Sequence, residues 1–238
     1  MTEKELLEID LTSESIFTFA ALSEAETYVS MMEEQIAKAH EDMHNKALDE
    51  FHKLPDPDET EYHIYVGQVD RSFEESYRPI LRFTEVIYLY MFFETYVRRH
   101  VAEIQKKRGA NPDEFEKLRK GRSFTEAIAL YFGQPLNWSV LSADDWEALQ
   151  EIAELRNCIV HNAGYVDGTR HPARLDKLEQ RKWQNEPVGI EIDRYEGALL
   201  NLPITIHGRF ARYYLHLLEK FFESVHENTQ KAFPPPKT

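Results

Sequence analysis

The chain has 238 residues, 42% hydrophobic and 29% charged, enough apolar material for one sizeable core or two small ones and unlike a low-complexity or collagen-like polymer. Its single cysteine, Cys158, excludes a disulfide scaffold and any multi-cysteine metal site, and a reducing cytoplasm is the expected setting. The formal net charge of −14 is unevenly spread: residues 1–62 hold 17 acids and 4 bases and the rest hold 25 and 24, so beyond the first segment the chain is not closed to a polyanion.

The acidic start, MTEKELLEIDLTSES, lacks the basic and apolar regions of a secretory or organellar signal. The longest apolar run, Val86 to Phe93, lies between Glu85 and Glu94 and is far short of the roughly 20 residues a membrane span needs. No membrane partner is expected. Local basic runs follow: Arg98 and Arg99; Lys106 to Arg108; Lys117, Arg119, Lys120 and Arg122; Arg170, Arg174, Lys177, Arg181 and Lys182. Such runs permit nucleic-acid binding without requiring it, since most basic residues are solvated helix faces.

From the amino terminus, a long acidic helix is predicted from Ser23 to about Lys53, opened by Ser23 and Glu26 in capping-box spacing and broken at Leu54-Pro55-Asp56-Pro57-Asp58. A second long helix, Pro79 to Arg108, repeats apolar residues from Ile80 through Phe83, Tyr90 and Phe93 to Ile104 at three- and four-residue steps. Gly109 and Pro112 end it. A shorter helix follows from Ser123 to Phe132, and another runs from Ser142 to a stop near Gly164. About 40 irregular residues come next, with Val188 to Asp193 alternating like a short strand, and an aromatic helix from His207 to Glu227 closes the pattern. The expected fold is all-α: an antiparallel helical bundle with an acidic segment over residues 1–62, the bundle over 63–230 and a disordered tail over 231–238.

One helix carries a residue that does not fit. With Leu149 at zero on a 100° wheel, Ile152, Leu155 and Ile159 define a core face, and Arg156 falls inside it. Glu147, Glu151 and Glu154 occupy the opposite arc, together with Cys158, which reads as a packing residue. Asn157 and His161 lie at the edge of the core face as an i, i+4 pair. A guanidinium in an apolar arc costs several kcal/mol if buried unpaired, so it meets a carboxylate such as Glu85 or Glu94, or its face opens onto a cleft or interface.

The run Glu154-Leu155-Arg156-Asn157-Cys158-Ile159-Val160-His161-Asn162-Ala163-Gly164 resembles the signature of HEPN-domain proteins, an arginine and a polar residue followed by a histidine near the end of a bundle helix. The arginine-to-histidine spacing alone is common: with 15 arginines and 10 histidines roughly two chance matches are expected, and Arg209 to His216 is a second. Asparagine after the arginine, at a four-residue gap, lowers the chance expectation to roughly 0.02. Gly164-Tyr165-Val166-Asp167, the Val188 to Ile192 stretch and the aromatic last helix add to the likeness, which spans about residues 70–228.

The resemblance implies an RNase-type HEPN bundle: a metal-independent endoribonuclease that uses the RNA's own 2′-hydroxyl, needs no cofactor, and dimerises so that two motifs share one site. Arg156 then binds the scissile phosphate, His161 acts as general base or acid, and Asn157 orients the imidazole or the phosphate. It also implies a toxin–antitoxin or anti-phage setting, with an antitoxin or regulatory partner.

Two other readings stay open. One is a HEPN-like bundle without catalysis, acting as an interaction or nucleotide-binding module. The other is a zinc peptidase built on His40-Glu41-Asp42-Met43-His44, an HExxH whose chance expectation here is about 0.05 and whose third ligand is not evident from the sequence. The acidic segment has its own expectation: as a polyanion mimic docked on the basic runs it restrains RNA binding, so that deleting residues 1–62 raises activity.

Overall fold

A computed structural model describes residues 3–194 and 203–234. It is 74% helix and 6% strand, an all-α architecture with a long amino-terminal helix and a small strand insertion before the last helix. No helix among the described residues is long and apolar enough to cross a membrane.

Helix α1 runs from Glu3 to Phe51 without interruption. It passes straight through Ser23, which was expected to cap it, and Thr27 Oγ1 instead donates back to the Ser23 carbonyl at 2.9 Å. No proline or glycine precedes Pro55, so nothing local forces a start at residue 23. Leu22, Ala25 and Val29, spaced at three and four residues, are buried where α1 packs on α4 and α9, joining the main core despite the acidity of their neighbours. Removing this helix would bare that core, so its charges are better tested by substitution than by the deletion the sequence suggested.

The predicted break is present, and the chain becomes helical again at α2 (Glu59–Tyr62), capped by an Asp58–Glu61 box. Two π turns, His63–Gly67 and Phe73–Tyr77, then flank α3 (Gln68–Ser72) and lead into α4 (Arg78–Arg108). Gly109, at φ +62°, ends α4 in the left-handed conformation that glycine tolerates. A short helix, α5 (Glu114–Arg119), was not foreseen. Ser123 and Glu126 cap α6 (Phe124–Gly133) reciprocally, and Ser142 caps α7 (Ala143–Asn162).

The region expected to be irregular holds a helix, α8 (Pro172–Gln180), packed along α7 by Leu175 and Leu178. A tight hairpin, β1 (Lys182–Trp183) and β2 (Glu186–Pro187), turns at Gln184 and Asn185, both at positive φ as a type I′ turn requires. Strand β3 (Ile190–Ile192) falls inside the predicted strand and pairs antiparallel with β4 (Ile204–Ile206), in register Ile190 to Ile206. Helix α9 spans Arg209–Ala232, so the first residues of the expected tail are helical, while residues 235–238 lie outside the described residues. Phe221 centres the core, 5.2 Å from the Phe93 ring and 5.9 Å from Trp146 in edge-to-face contacts.

Glu85 lies buried in α4 with Oε1 lacking a hydrogen-bond partner; burial, aided by the nearby Glu33 charge, pushes its carboxyl up to about 8. Between pH 4.5 and 8 the unfolded chain therefore loses this proton while the folded chain keeps it, and stability falls as pH rises. Glu85→Gln has no proton to lose. Denaturant titrations are expected to show its advantage over wild type growing by on the order of 3 kcal/mol between pH 5 and pH 8. A constant difference would contradict the assignment.

Candidate functional site

The site is built on the last two turns of α7, where Arg156, Asn157 and His161 sit. The wheel placed Glu151, Glu154 and Cys158 on an outward arc; all three are buried, because α8 covers that face. Glu151 is fully buried and bonded to Arg181, while a Glu154 carboxylate oxygen accepts the His171 backbone N–H at 3.0 Å. Cys158 donates to the Tyr165 carbonyl at 3.1 Å, and burial pushes its thiol up to about 12, so it is a packing residue rather than a nucleophile.

Arg156 is half-buried rather than sealed in the core. Its guanidinium carbon lies 5.4 Å from the Tyr90 ring centroid, Nη1 donates to Asn157 Oδ1 at 3.1 Å, and Nε is buried with no partner. Neither expected carboxylate reaches it: Glu94 bonds Arg98 at 2.8 Å, and Glu85 stands apart. Among the described residues Arg156 has no ion pair, leaving its charge available to an external anion. His161 is exposed one turn beyond Asn157 on the same side of α7 and forms no hydrogen bond to Arg156 or Asn157. One chain thus joins two of the three predicted residues and presents the third separately.

The end of α7 is held firmly. Ala163 (φ 52°) and Gly164 (φ 83°) turn the chain, the Ile204 N–H donates to the Gly164 carbonyl at 2.9 Å, and a Cβ on Gly164 would come within 2.5 Å of Phe83. Asn162, with its amide oriented to suit its neighbours, donates to the His161 carbonyl and accepts from the Thr169 N–H at 3.2 Å.

Beside Asn157 lies a cleft of about 660 Å³ whose charged lining is Arg122, Arg170, His171 and Arg174 together with the carboxylates of Glu126 and Glu154. Arg174 is bonded to Glu126 and Gln150; Arg170 and Arg122 have no carboxylate partner among the described residues. Tyr90 beneath Arg156 and the cationic wall of this cleft were missed as a unit, although Arg170 and Arg174 stood out as a basic run. Other basic residues are neutralised in place, Arg98 by Glu94 and Glu116 and Arg108 by Glu114. The second spacing match also dissolves: Arg209 is occupied by Glu186 at 2.7 Å and by the carbonyl and ring of Trp183.

The sequence placed Ile80 on the packed face of α4, yet it is 63% exposed, as are Tyr77, Tyr88 and Met91 in part or in whole along the same side of the helix. Phe83, one turn from Ile80, touches Gly164, so this apolar strip borders the end of α7, where Val160 and Tyr165 are also exposed.

None of the family models, curated proteins or solved structures compared with the chain matches it.

Proposed function

We propose that the chain is a metal-independent endoribonuclease of the HEPN kind, working as a homodimer with Arg156, Asn157 and His161 from both copies around one site. The observation that carries this reading is Arg156: a half-buried guanidinium with no carboxylate partner among the described residues, bonded to Asn157, which itself lines a cleft with Arg122 and Arg170. A cation so placed is suited to an external phosphate, which accepts two parallel N–H bonds from it.

The chemistry asks little of the protein. The RNA 2′-oxygen attacks the adjacent phosphorus while the bond to the 5′-oxygen breaks, leaving a 2′,3′-cyclic phosphate and a 5′-hydroxyl. One imidazole takes the 2′-hydroxyl proton and another protonates the departing 5′-oxygen. One chain offers one histidine at this motif, so a second copy supplies the other, and Arg156 stabilises the charge that builds on the phosphoryl oxygens. The exposed strip of Ile80, Met91, Val160 and Tyr165 is apolar surface suited to that second copy.

The test is incubation of the purified chain with mixed RNA in excess EDTA, beside His161→Ala. Cleavage by wild type and its loss in the variant support the reading. RNA bound without cleavage by wild type favours a binding module instead. A toxin or anti-phage role, with an antitoxin or regulatory partner, belongs to the same proposal through the resemblance.

A further inference from the structure

The HExxH motif plays no part in the proposed nuclease, yet its two imidazoles converge. His40 and His44 lie one turn apart on α1, and both reach Asp70 of α3: His40 Nε2 and His44 Nδ1 stand 2.8 and 2.7 Å from the same Asp70 oxygen. The third residue that the sequence left open is thus supplied from another helix. Asp70 sits between the two π turns, whose wide hydrogen-bond spacing shifts the helical register on either side of it. The His40 ring is fixed by stacking on buried Phe73, with centroids 4.6 Å apart and planes 20° from parallel.

We infer that His40, His44 and Asp70 form a binding site for a divalent cation of the zinc class, clipping α1 to α3 at a place separate from the α7 motif. One donor atom from each residue lies within 4.8 Å of the other two, and they are the only such trio found among the described residues. Two neutral imidazoles and a carboxylate are donors that zinc accepts, with the remaining coordination positions left to water. The recess over them is open to solvent and also lined by Glu41 and Glu74, whose charges favour a cation.

Binding requires small, definable shifts. Ligand atoms around tetrahedral zinc stand about 3.4 Å apart, so the contacts to Asp70 must lengthen by about 0.6 Å as the metal enters between them. Arg78 Nη2 lies 3.2 Å from His40 Nδ1, which must take the ring proton once Nε2 is a ligand. Arg78 then gives up that contact and keeps its ion pair with Glu74.

The full chain, stripped with EDTA and exchanged into metal-free buffer, is titrated with Zn²⁺ against a chromophoric chelator, and separately with Co²⁺ while its visible absorption is followed. The expected result is one tight equivalent per chain, with a cobalt spectrum of tetrahedral or five-coordinate nitrogen–oxygen ligation. His44→Ala and Asp70→Asn, each checked for intact helicity by circular dichroism, bind at least tenfold more weakly, and His52→Ala binds as wild type does. The inference is overturned if wild type takes up no zinc, or if either site variant binds like wild type.

Discussion

Under the proposed nuclease reading, Arg156→Ala is expected to lower RNA cleavage by about 10²–10³-fold, the range for removing a donor that stabilises developing charge. The same change is expected to cost the fold about 1–2 kcal/mol, because Arg156 forms no ion pair among the described residues and its polar contacts are one hydrogen bond to Asn157 and the face of Tyr90. That separation matters. An arginine serving the fold alone would, when removed, affect thermal stability and activity together, whereas an anion-binding arginine leaves the melting temperature nearly intact. Arg156→Lys keeps the charge but loses the planar fork that engages two phosphoryl oxygens, so it retains only a small part of the activity. Parallel measurements of cleavage rate and unfolding decide the matter, and an Arg156→Ala variant with wild-type cleavage would remove Arg156 from the proposed site.

The largest effect on stability is expected at Arg181. Its guanidinium is bonded to fully buried Glu151 and, at 2.9 Å, to Asp144, fastening the stretch after α8 against the first half of α7. Arg181→Met leaves a buried carboxylate without its cation, a loss of about 3–5 kcal/mol for a group that stays ionised. Burial already pushes the Glu151 carboxyl above its ordinary range. Without Arg181 the side chain takes up a proton more readily still, so the cost shrinks at pH 5 and is fully felt near pH 8. Denaturant titrations at the two pH values are expected to show this contrast. Equal, small losses at both would mean that the pair contributes little. The change also bears on the proposed site, since α8 begins at the cleft that holds His171 and Arg174.

Several elements were legible in the sequence for plain reasons. Gly109 ends α4 because a left-handed residue is needed there, and Ser123 with Glu126 announces α6 because the two residues satisfy each other's backbone donors. What escaped was tertiary. A wheel reports one buried stripe, but α7 is covered on two sides, and Glu151 and Glu154 became interior only because Arg181 and the His171 N–H were there to meet them. Leu175 and Leu178 were the sole apolar hint of α8 within a charged stretch, too few for a periodic signal.

The candidate site was half legible. Spacing put Asn157 and His161 on one side of the helix and marked Arg156 as out of place, and the half-buried guanidinium without a carboxylate agrees with a face that opens outward. Tyr90 beneath it, the cationic cleft beside it and Asp70 opposite His40 and His44 all depend on contacts between segments far apart in the chain, which no local pattern encodes.

The most direct measurement is of product ends: RNA is incubated with the purified chain in excess EDTA and the fragments are analysed by mass spectrometry. The account predicts fragments ending in 2′,3′-cyclic phosphate and beginning with 5′-hydroxyl, absent with His161→Ala. Fragments with 3′-hydroxyl and 5′-phosphate ends, or no cleavage until a divalent metal is restored, would contradict it.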